Sequence, residues 1–169
     1  MAALTDDRAT EHQLEGEIRR YPQGTTKIWK GSLVMLNSSG FAVPAADAAG
    51  SHGVVGVAVK TTAAPTANGD NDVEVLTGVA RLVATAITAA MVGQMMYVVD
   101  DQTFDDAIGT NAVKAGALVK RESNTDGWIL ITGKPPGRGV PTADADATYG
   151  QAEADLINAI KDRFNLYAG

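Results

Sequence analysis

The sequence predicts a mainly β fold with an extended N-terminal arm and one C-terminal α-helix. From Lys27 onward, short apolar runs alternate with turn signals, as in K-I-W-K-G-S-L-V-M-L, N-S-S-G and G-V-V-G-V-A-V-K, a spacing typical of all-β domains. Aromatic residues make up only 5% of the chain, while small and β-branched residues are abundant, which favours sheet over helical bundle. Apolar residues at helical spacing occur near the C-terminus, after residue 148. We therefore expect residues 27–133 to form the β domain.

The segment that precedes the β domain, residues 1–26, is polar, mixed in charge and without a clear hydrophobic period. Such a segment has too little apolar surface to offset the entropy of ordering. We expect an extended arm that is disordered in the free protein and is ordered by a partner.

The β domain contains an internal sequence repeat. The string G-S-L-V-M-L, which begins at Gly31, parallels G-Q-M-M-Y-V, which begins at Gly93, and each is followed by a polar turn and a phenylalanine, Phe41 and Phe104. G-V-A-V-K parallels G-A-L-V-K, and V-E-V-L-T-G, ending at Gly78, parallels W-I-L-I-T-G, which ends at position 133. Three matches in the same order predict a duplicated strand-turn-strand module.

The amino-acid composition changes in the C-terminal part of the chain. Residues 134–147 are rich in Pro, Gly and small residues, which predicts a surface strap. Residues 148–169 begin with a capping-box pattern and carry an apolar stripe that includes Leu156, Ile160 and Phe164, which predicts an amphipathic helix. The stripe requires burial, either against its own β domain or against other copies of the chain.

Composition excludes several classes of function. The net charge is −6 and the basic residues are scattered, so nucleic acid is not an expected partner. There are no cysteines for a disulfide framework, a thiolate metal site or a nucleophile. The N-terminus lacks the pattern of a signal peptide and no apolar run approaches membrane-spanning length, so we expect a soluble product made in the cytoplasm, without a membrane partner.

Two acidic strings are candidates for a metal or acid/base site. Asn68, Asp70 and Asp72 in N-G-D-N-D have the slightly better spacing, but this string is also typical of a tight turn. The other candidate is the stretch V-V-D-D-Q-T-F-D-D. Its aspartates lack the spacing and the distal glutamate of a calcium loop, and by the repeat Asp100 and Asp101 occupy the place of Asn37 and Ser38, which are turn residues. We interpret the stretch as a solvated turn. The two histidines have no neighbouring ligand residues, and no nucleophile elbow or phosphate loop is found. We expect no catalytic residue, metal or cofactor, and the chain is not predicted to be an enzyme.

The order of these strings resembles a family of small phage head-decoration, or capsid cement, proteins. The resemblance rests on K-G-S-L-V, G-V-V-G-V-A-V-K, V-E-V-L-T-G-V-A-R-L, I-T-A-A-M-V-G-Q-M-M-Y-V and A-G-A-L-V-K followed by D-G-W-I-L-I-T-G, and it covers about Lys27 to residue 133. The long arm and the C-terminal strap and helix depart from the family pattern.

The resemblance implies a compact β-barrel or β-tulip domain, lambda-type in character. Such a protein binds the outer surface of an icosahedral head at three-fold and quasi-three-fold sites, as a homotrimer that bridges major capsid proteins. The expected location is the outer capsid surface of the virion. On this hypothesis the arm contacts the capsid through Leu14, Ile18, Arg19, Arg20 and Tyr21, and the trimer contact includes Leu156, Ile160 and Phe164.

Two alternatives remain open at this stage. A carbohydrate- or receptor-binding β module would need exposed aromatic platforms, which only Trp29 and Trp128 could supply, and both lie in apolar strings where burial in the core is expected. A small hydrolase would need titratable groups that converge in a pocket, and the sequence shows none.

Overall fold

The computed structural model describes residues 3–133, which form a mainly β structure with nine strands in one sheet. The strands are β1 (His12–Pro22), β2 (Leu33–Leu36), β3 (Ala42–Pro44), β4 (Val54–Ala58), β5 (Asp72–Ala84), β6 (Met95–Val98), β7 (Thr103–Asp105), β8 (Lys114–Arg121) and β9 (Asp126–Ile131). A short 3-10 turn at Ala89–Met91 precedes β6, and these described residues contain no α-helix. The predicted mainly β class is confirmed. The strap at 134–147 and the helix at 148–169 lie outside the described residues.

Five of the strands close into a mixed β-barrel. The pairing order is β5, β7, β6, β8 and β9, and β9 returns to pair with β5. The β5–β7 pair is parallel, while the other four pairs are antiparallel. A closed barrel leaves no free edge among its own strands. The barrel expected from the family resemblance is therefore present.

The internal repeat is a structural duplication that shares β5. In the first repeat (residues 12–78), β1 pairs with the first half of β5, and in the second repeat (79–131) the second half of β5 pairs with β9. The registers of these two strand pairs correspond, because the pairing of Arg20 with Glu74 between β1 and β5 is equivalent to the pairing of Arg81 with Trp128 between β5 and β9. The parallel contacts of the two repeats correspond as well. A parallel bridge joins Gln23 to Ala42 in the first repeat, and the parallel pair of β5 and β7 joins Ala84 to Phe104 in the second.

The β2–β4 hairpin and the β6–β8 hairpin even share an irregularity. Val34 pairs with Gly56 and the register then shifts by one residue, and Met96 pairs with Gly116 before the same shift. Gly31 and its counterpart Gly93 both have φ near +90°, at +83° and +91°, and a Cβ on Gly31 would lie 2.3 Å from the Arg8 carbonyl oxygen. The predicted duplication is confirmed.

The registers correct the sequence alignment in two places. Phe104 corresponds to Ala42 and not to Phe41, so the aspartates at 100 and 101 correspond to Ser38 and Ser39. Leu76 corresponds to Leu130, because each pairs with the equivalent residue of the neighbouring strand, β4 in the first repeat and β8 in the second. The predicted match of the T-G string that ends at Gly78 is therefore out of register by one residue. A V/A/G-rich strand can slide by one residue in an alignment, whereas the pleat fixes which residues face inward.

Two hydrophobic clusters follow the duplication. The first fills the interior of the first repeat with Val34, Leu36, Val55, Val73 and Val75, among others, and Tyr21 packs against it. The second fills the interior of the second repeat, where Phe104 is the largest fully buried side chain. This second cluster also includes Leu33, Met35, Val54 and Val57 from the outer face of β2 and β4. The two repeats therefore pack on each other through that outer face.

The N-terminal arm differs from the expectation of a segment apart from the sheet. Residues 12–22 are extended, but they pair antiparallel with β5 from His12 to Pro22, with irregularities before Leu14 and Ile18. Gln23 is fully buried, and its Nε2 donates hydrogen bonds to the carbonyl oxygens of Thr26 (2.8 Å) and Ala63 (3.0 Å). The arm lacks a hydrophobic period because β1 contributes backbone hydrogen bonds and few core side chains.

Candidate interaction surface

The outer side of β1 and β5 presents a mixed apolar and charged surface. Ile18 faces Leu76 directly across the strand pair, and Arg20 faces Glu74. Ile18 is 59% exposed, and Val59, whose amide donates to the Glu74 carbonyl, is 36% exposed. We call Ile18, Arg20, Val59, Glu74 and Leu76 the β1 face.

Charge pairing orders the polar part of the β1 face. The Arg20 guanidinium lies 2.6 Å from Glu74, and the Lys60 ammonium lies 3.4 Å from the same carboxylate. Hydrogen bonding to Arg20, and then to Lys60, lowers the pKa of Glu74. Because the group is solvent-accessible, the pairs fix side-chain orientation more than they stabilise the fold.

The structure divides the five residues predicted to bind the capsid. Ile18 and Arg20 lie on the β1 face, whereas Arg19 and Tyr21 point to the other side of the strand. Arg19 Nη1 and the Tyr21 hydroxyl both donate to the carbonyl oxygen of Gly133, at 2.7 and 3.4 Å. The backbone of Leu14 pairs with Val79. Ile18 and Arg20 have the exposure and direction that a docking surface requires.

Sequence reasoning missed the contribution of β5 and Val59 to this surface. The string V-E-V-L-T in β5 alternates buried Val73 and Val75 with half-buried Glu74 and Leu76. That alternation, a period of two residues, was the available signal for an outward face. The partner of that face could not be read from the sequence, because β1 and β5 are more than fifty positions apart.

The acidic stretch forms a junction between the repeats and the N-terminal segment. The Asp101 carboxylate accepts hydrogen bonds from the Leu4 amide (2.8 Å) and the Ser32 hydroxyl (3.0 Å), and its carbonyl accepts from the Leu33 amide (2.6 Å). Arg8 donates to the carbonyls of Gln102 and Arg81 at 3.2 and 3.3 Å. The junction thus connects segments that are far apart in sequence.

The expectation of a solvated turn is wrong for the first two aspartates of this stretch, although Asp106 is exposed. Asp100 and Asp101 are only 9% and 2% exposed. Asp100 does show the predicted local turn chemistry, since its Oδ1 accepts from the Gln102 amide at 3.0 Å. Burial raises the pKa of the Asp101 carboxyl, and the hydrogen bonds from Leu4 and Ser32 oppose that rise. The residue acts as a structural acceptor.

Replacing Asp101 by Ala should lower the free energy of unfolding by about 2–3 kcal/mol, because the buried Ser32 hydroxyl and the half-buried Leu4 amide lose their acceptor. Asp101→Asn keeps a side-chain oxygen that can accept from the Leu4 amide and an amide group that can bond the Ser32 hydroxyl, so this variant should lose much less unfolding free energy.

The folded pKa of Asp101 is raised, so its contribution to stability is present at low pH and is lost as the pH rises through that value. Urea unfolding from about pH 4 to pH 7 should show that the wild type, relative to Asp101→Asn, becomes less stable as the pH rises; the opposite slope contradicts the prediction.

The two tryptophans are half-buried on the outer side, so the expectation of core burial is wrong for both. The Lys27 ammonium lies 3.2 Å from the centroid of the Trp29 ring, and the Lys120 ammonium lies 5.9 Å from that of Trp128. Trp128 Nε1 also donates to Glu122 at 3.0 Å. Lysine stacking of this kind occupies one face of each ring.

Within residues 3–133, no group of three or more histidine, aspartate or glutamate side chains is arranged to hold a metal ion. No helix in that same part of the chain is long and apolar enough to span a membrane.

Comparison of the chain with protein-family models, with curated proteins and with solved structures finds no match in any of the three.

Proposed function

We propose that this chain is a virion structural protein that decorates an icosahedral phage head. It binds the outer surface of the head at three-fold and quasi-three-fold sites and stabilises the shell by bridging major capsid proteins. In this proposal the chain acts by binding and not by catalysis, and the fold is the β-tulip type of barrel that the resemblance implies.

The observation that carries the proposal is the β1 face. Ile18 is exposed on a strand that is hydrogen-bonded along β5, so an apolar side chain is presented from a rigid support next to the ordered Arg20–Glu74 pair. Apolar anchors beside ordered charges are the usual composition of an interface centre and its rim. A decoration protein meets its target in many copies on one shell, so modest affinity at each site suffices for durable binding.

The proposal is tested by binding to undecorated heads of the phage that encodes the chain. Ile18→Glu places a charge at the centre of the β1 face, which binding would have to desolvate, so we expect at least a tenfold loss of affinity, about 1.4 kcal/mol or more. The measurement is co-sedimentation of full-length protein with purified heads, followed by cryo-electron microscopy of the decorated particles.

Ile108→Glu provides a matched control, because Ile108 is 65% exposed, similar to the 59% of Ile18, but lies in the β7–β8 loop. The control should bind as the wild type does. Equal binding by the Ile18 variant would remove the β1 face from the interface, and absence of wild-type binding to heads would overturn the proposed function itself. The sedimentation of free protein is recorded for both variants to exclude misfolding.

A further inference from the structure

The end of β9 fills a gap between two strands of the first repeat. β4 and β5 separate after the pair of Val57 with Leu76. The end of β9 lies in the space that opens, where Ile131 pairs antiparallel with Gly78 of β5. The fit is close, because a Cβ on Gly133 would lie 2.9 Å from a carbonyl oxygen of β4. The element that fits between these two separating strands is therefore an extended segment.

The equivalent position in the second repeat is an open groove. β8 and β9 also separate after the equivalent pair, which is Ala117 with Leu130. A groove of about 320 Å³ lies at this point, between residues 111–117 on one side and Thr132 on the other, with Val54 of β4 at its wall. We call this space the β8–β9 groove. The same architectural position holds a strand end in one repeat and is open in the other.

The backbone at the edge of the β8–β9 groove is available for pairing. Thr132 corresponds to Gly78, the residue of β5 that pairs with the end of β9 in the first repeat. Thr132 is exposed, and within residues 3–133 its amide and carbonyl groups make no backbone hydrogen bond. A peptide that adds to such an edge obtains main-chain hydrogen bonds and places alternate side chains in the groove.

The chemistry of the groove favours an apolar segment with an acidic residue at one end. Alanine, valine, leucine and isoleucine make up much of the lining, and Lys114 is the charged residue among them. The Asp47 carboxylate accepts from the Asn111 amide at 2.9 Å but does not line the groove. The exposed Lys114 ammonium therefore attracts a carboxylate of the occupant.

The chain's own continuation is a poor candidate for this strand. The Gly133 carbonyl oxygen accepts hydrogen bonds from Arg19 Nη1 and the Tyr21 hydroxyl, at 2.7 and 3.4 Å, so the end of the β domain is held at β1. Pro135 and Pro136 follow closely in the sequence, and proline has no amide to donate to a strand ladder. Both features disfavour an immediate return of the chain into the groove.

We propose that the β8–β9 groove binds an extended segment of the major capsid protein. The segment adds antiparallel to the end of β9, as the end of β9 adds to β5 in the first repeat. Its main chain pairs with Thr132, its apolar side chains alternate into the groove, and an acidic residue lies near Lys114. Main-chain hydrogen bonds supply affinity in strand addition, and the side-chain pockets supply specificity. This inference rests on the proposed function and adds a second contact to that of the β1 face.

Filling the groove tests the proposal with undecorated heads. Ala117 is half-buried and lines the groove, so Ala117→Trp occupies the space that the capsid segment needs. Full-length Ala117→Trp should bind heads at least about tenfold more weakly than the wild type in co-sedimentation. Val119→Trp is the matched control, because Val119 lies on the same strand, is 39% exposed and does not line the groove. Melting curves of both variants show whether they fold.

Photo-cross-linking identifies the occupant without filling the groove. Full-length protein with p-benzoylphenylalanine in place of Met95, a groove residue that is 43% exposed, is bound to heads and irradiated. Mass spectrometry should find the cross-link on the major capsid protein, and cryo-electron microscopy of the decorated heads should show an extended segment beside Thr132.

The outcomes separate this proposal from the proposed function. If folded Ala117→Trp binds as the wild type does, or if Val119→Trp loses as much affinity, the groove is not the docking site and head decoration still stands. A cross-link only to another copy of the chain, or only to residues after 133, gives the groove a different occupant and overturns the proposal. Absence of wild-type binding to heads overturns both.

Discussion

Leu33→Asp should prevent the chain from folding stably, with a loss of about 4 kcal/mol or more in the free energy of unfolding. Leu33 is fully buried in the cluster that joins the two repeats, and its amide already donates to the Asp101 carbonyl. A carboxylate at this position would be buried without a positive partner among these contacts and close to a second carboxylate. Removing a charge from water under such conditions costs several kcal/mol unless it is paired. Urea unfolding followed by circular dichroism measures the effect.

Met95→Asp is the matched control for this prediction, because duplication places Met95 at the position of Leu33 while its side chain is 43% exposed. The control should unfold within about 0.5 kcal/mol of the wild type, as surface substitutions usually do. If both variants lose the same stability, Met95 is covered within its own molecule. If neither does, the two repeats do not pack through β2 and β4.

The sequence predicted the class of fold and the duplication, because both depend on local patterns. The alternation of short apolar runs with turns is enough to predict strands, and the paired glycines at positions 31 and 93 mark the same backbone conformation in both repeats. The repeat was found in three strings of six residues or fewer. The hairpin registers of β2–β4 and β6–β8 agree with the first two strings residue by residue, whereas the third is out of register by one residue.

The place of β1 could not be predicted from local pattern. This strand packs Tyr21 against the core of the first repeat, while its Ile18 side chain is exposed, so its order comes mainly from backbone pairing with a strand about sixty positions away. Backbone hydrogen bonds leave no signature in the hydrophobic pattern.

The candidate site was predicted only in part for the same reason. Ile18 and Arg20, two of the five residues predicted to contact the capsid, are exposed on β1, but the residues beside them on the surface belong to β5 and to the segment after β4. Asp101 was interpreted as solvated because nothing in V-V-D-D-Q-T indicates that Leu4 and Ser32 converge on it. Long-range polar contacts of this kind are specified by topology, which the sequence does not display directly.

Deleting residues 1–23 should abolish cooperative folding of the first repeat. The deletion removes the strand that pairs with β5 from Asp72 to Ala80, the Tyr21 side chain that packs on the first cluster, and the buried Gln23. An open β5 edge and an uncovered core cannot be offset by the remaining pairs of β2, β3 and β4, and the loss is comparable with the whole stability of a small domain, about 5–15 kcal/mol. Hydrogen exchange should show loss of protection in β2 to β4 and weaker protection in the barrel of β5 to β9, because the barrel loses the side chains of β2 and β4 that pack into its cluster.

A shorter deletion separates the role of β1 from that of the segment before it. Removing residues 1–10 takes away the Leu4 and Arg8 contacts at the junction but leaves His12–Pro22 paired with β5. This variant should retain a single cooperative transition with a loss of about 1–3 kcal/mol, since only a few hydrogen bonds at the junction are removed. If the longer deletion instead melts as the full-length chain does, β1 is an arm that stands apart from the sheet in the free protein, and the burial of Gln23 has no part in holding the first repeat together.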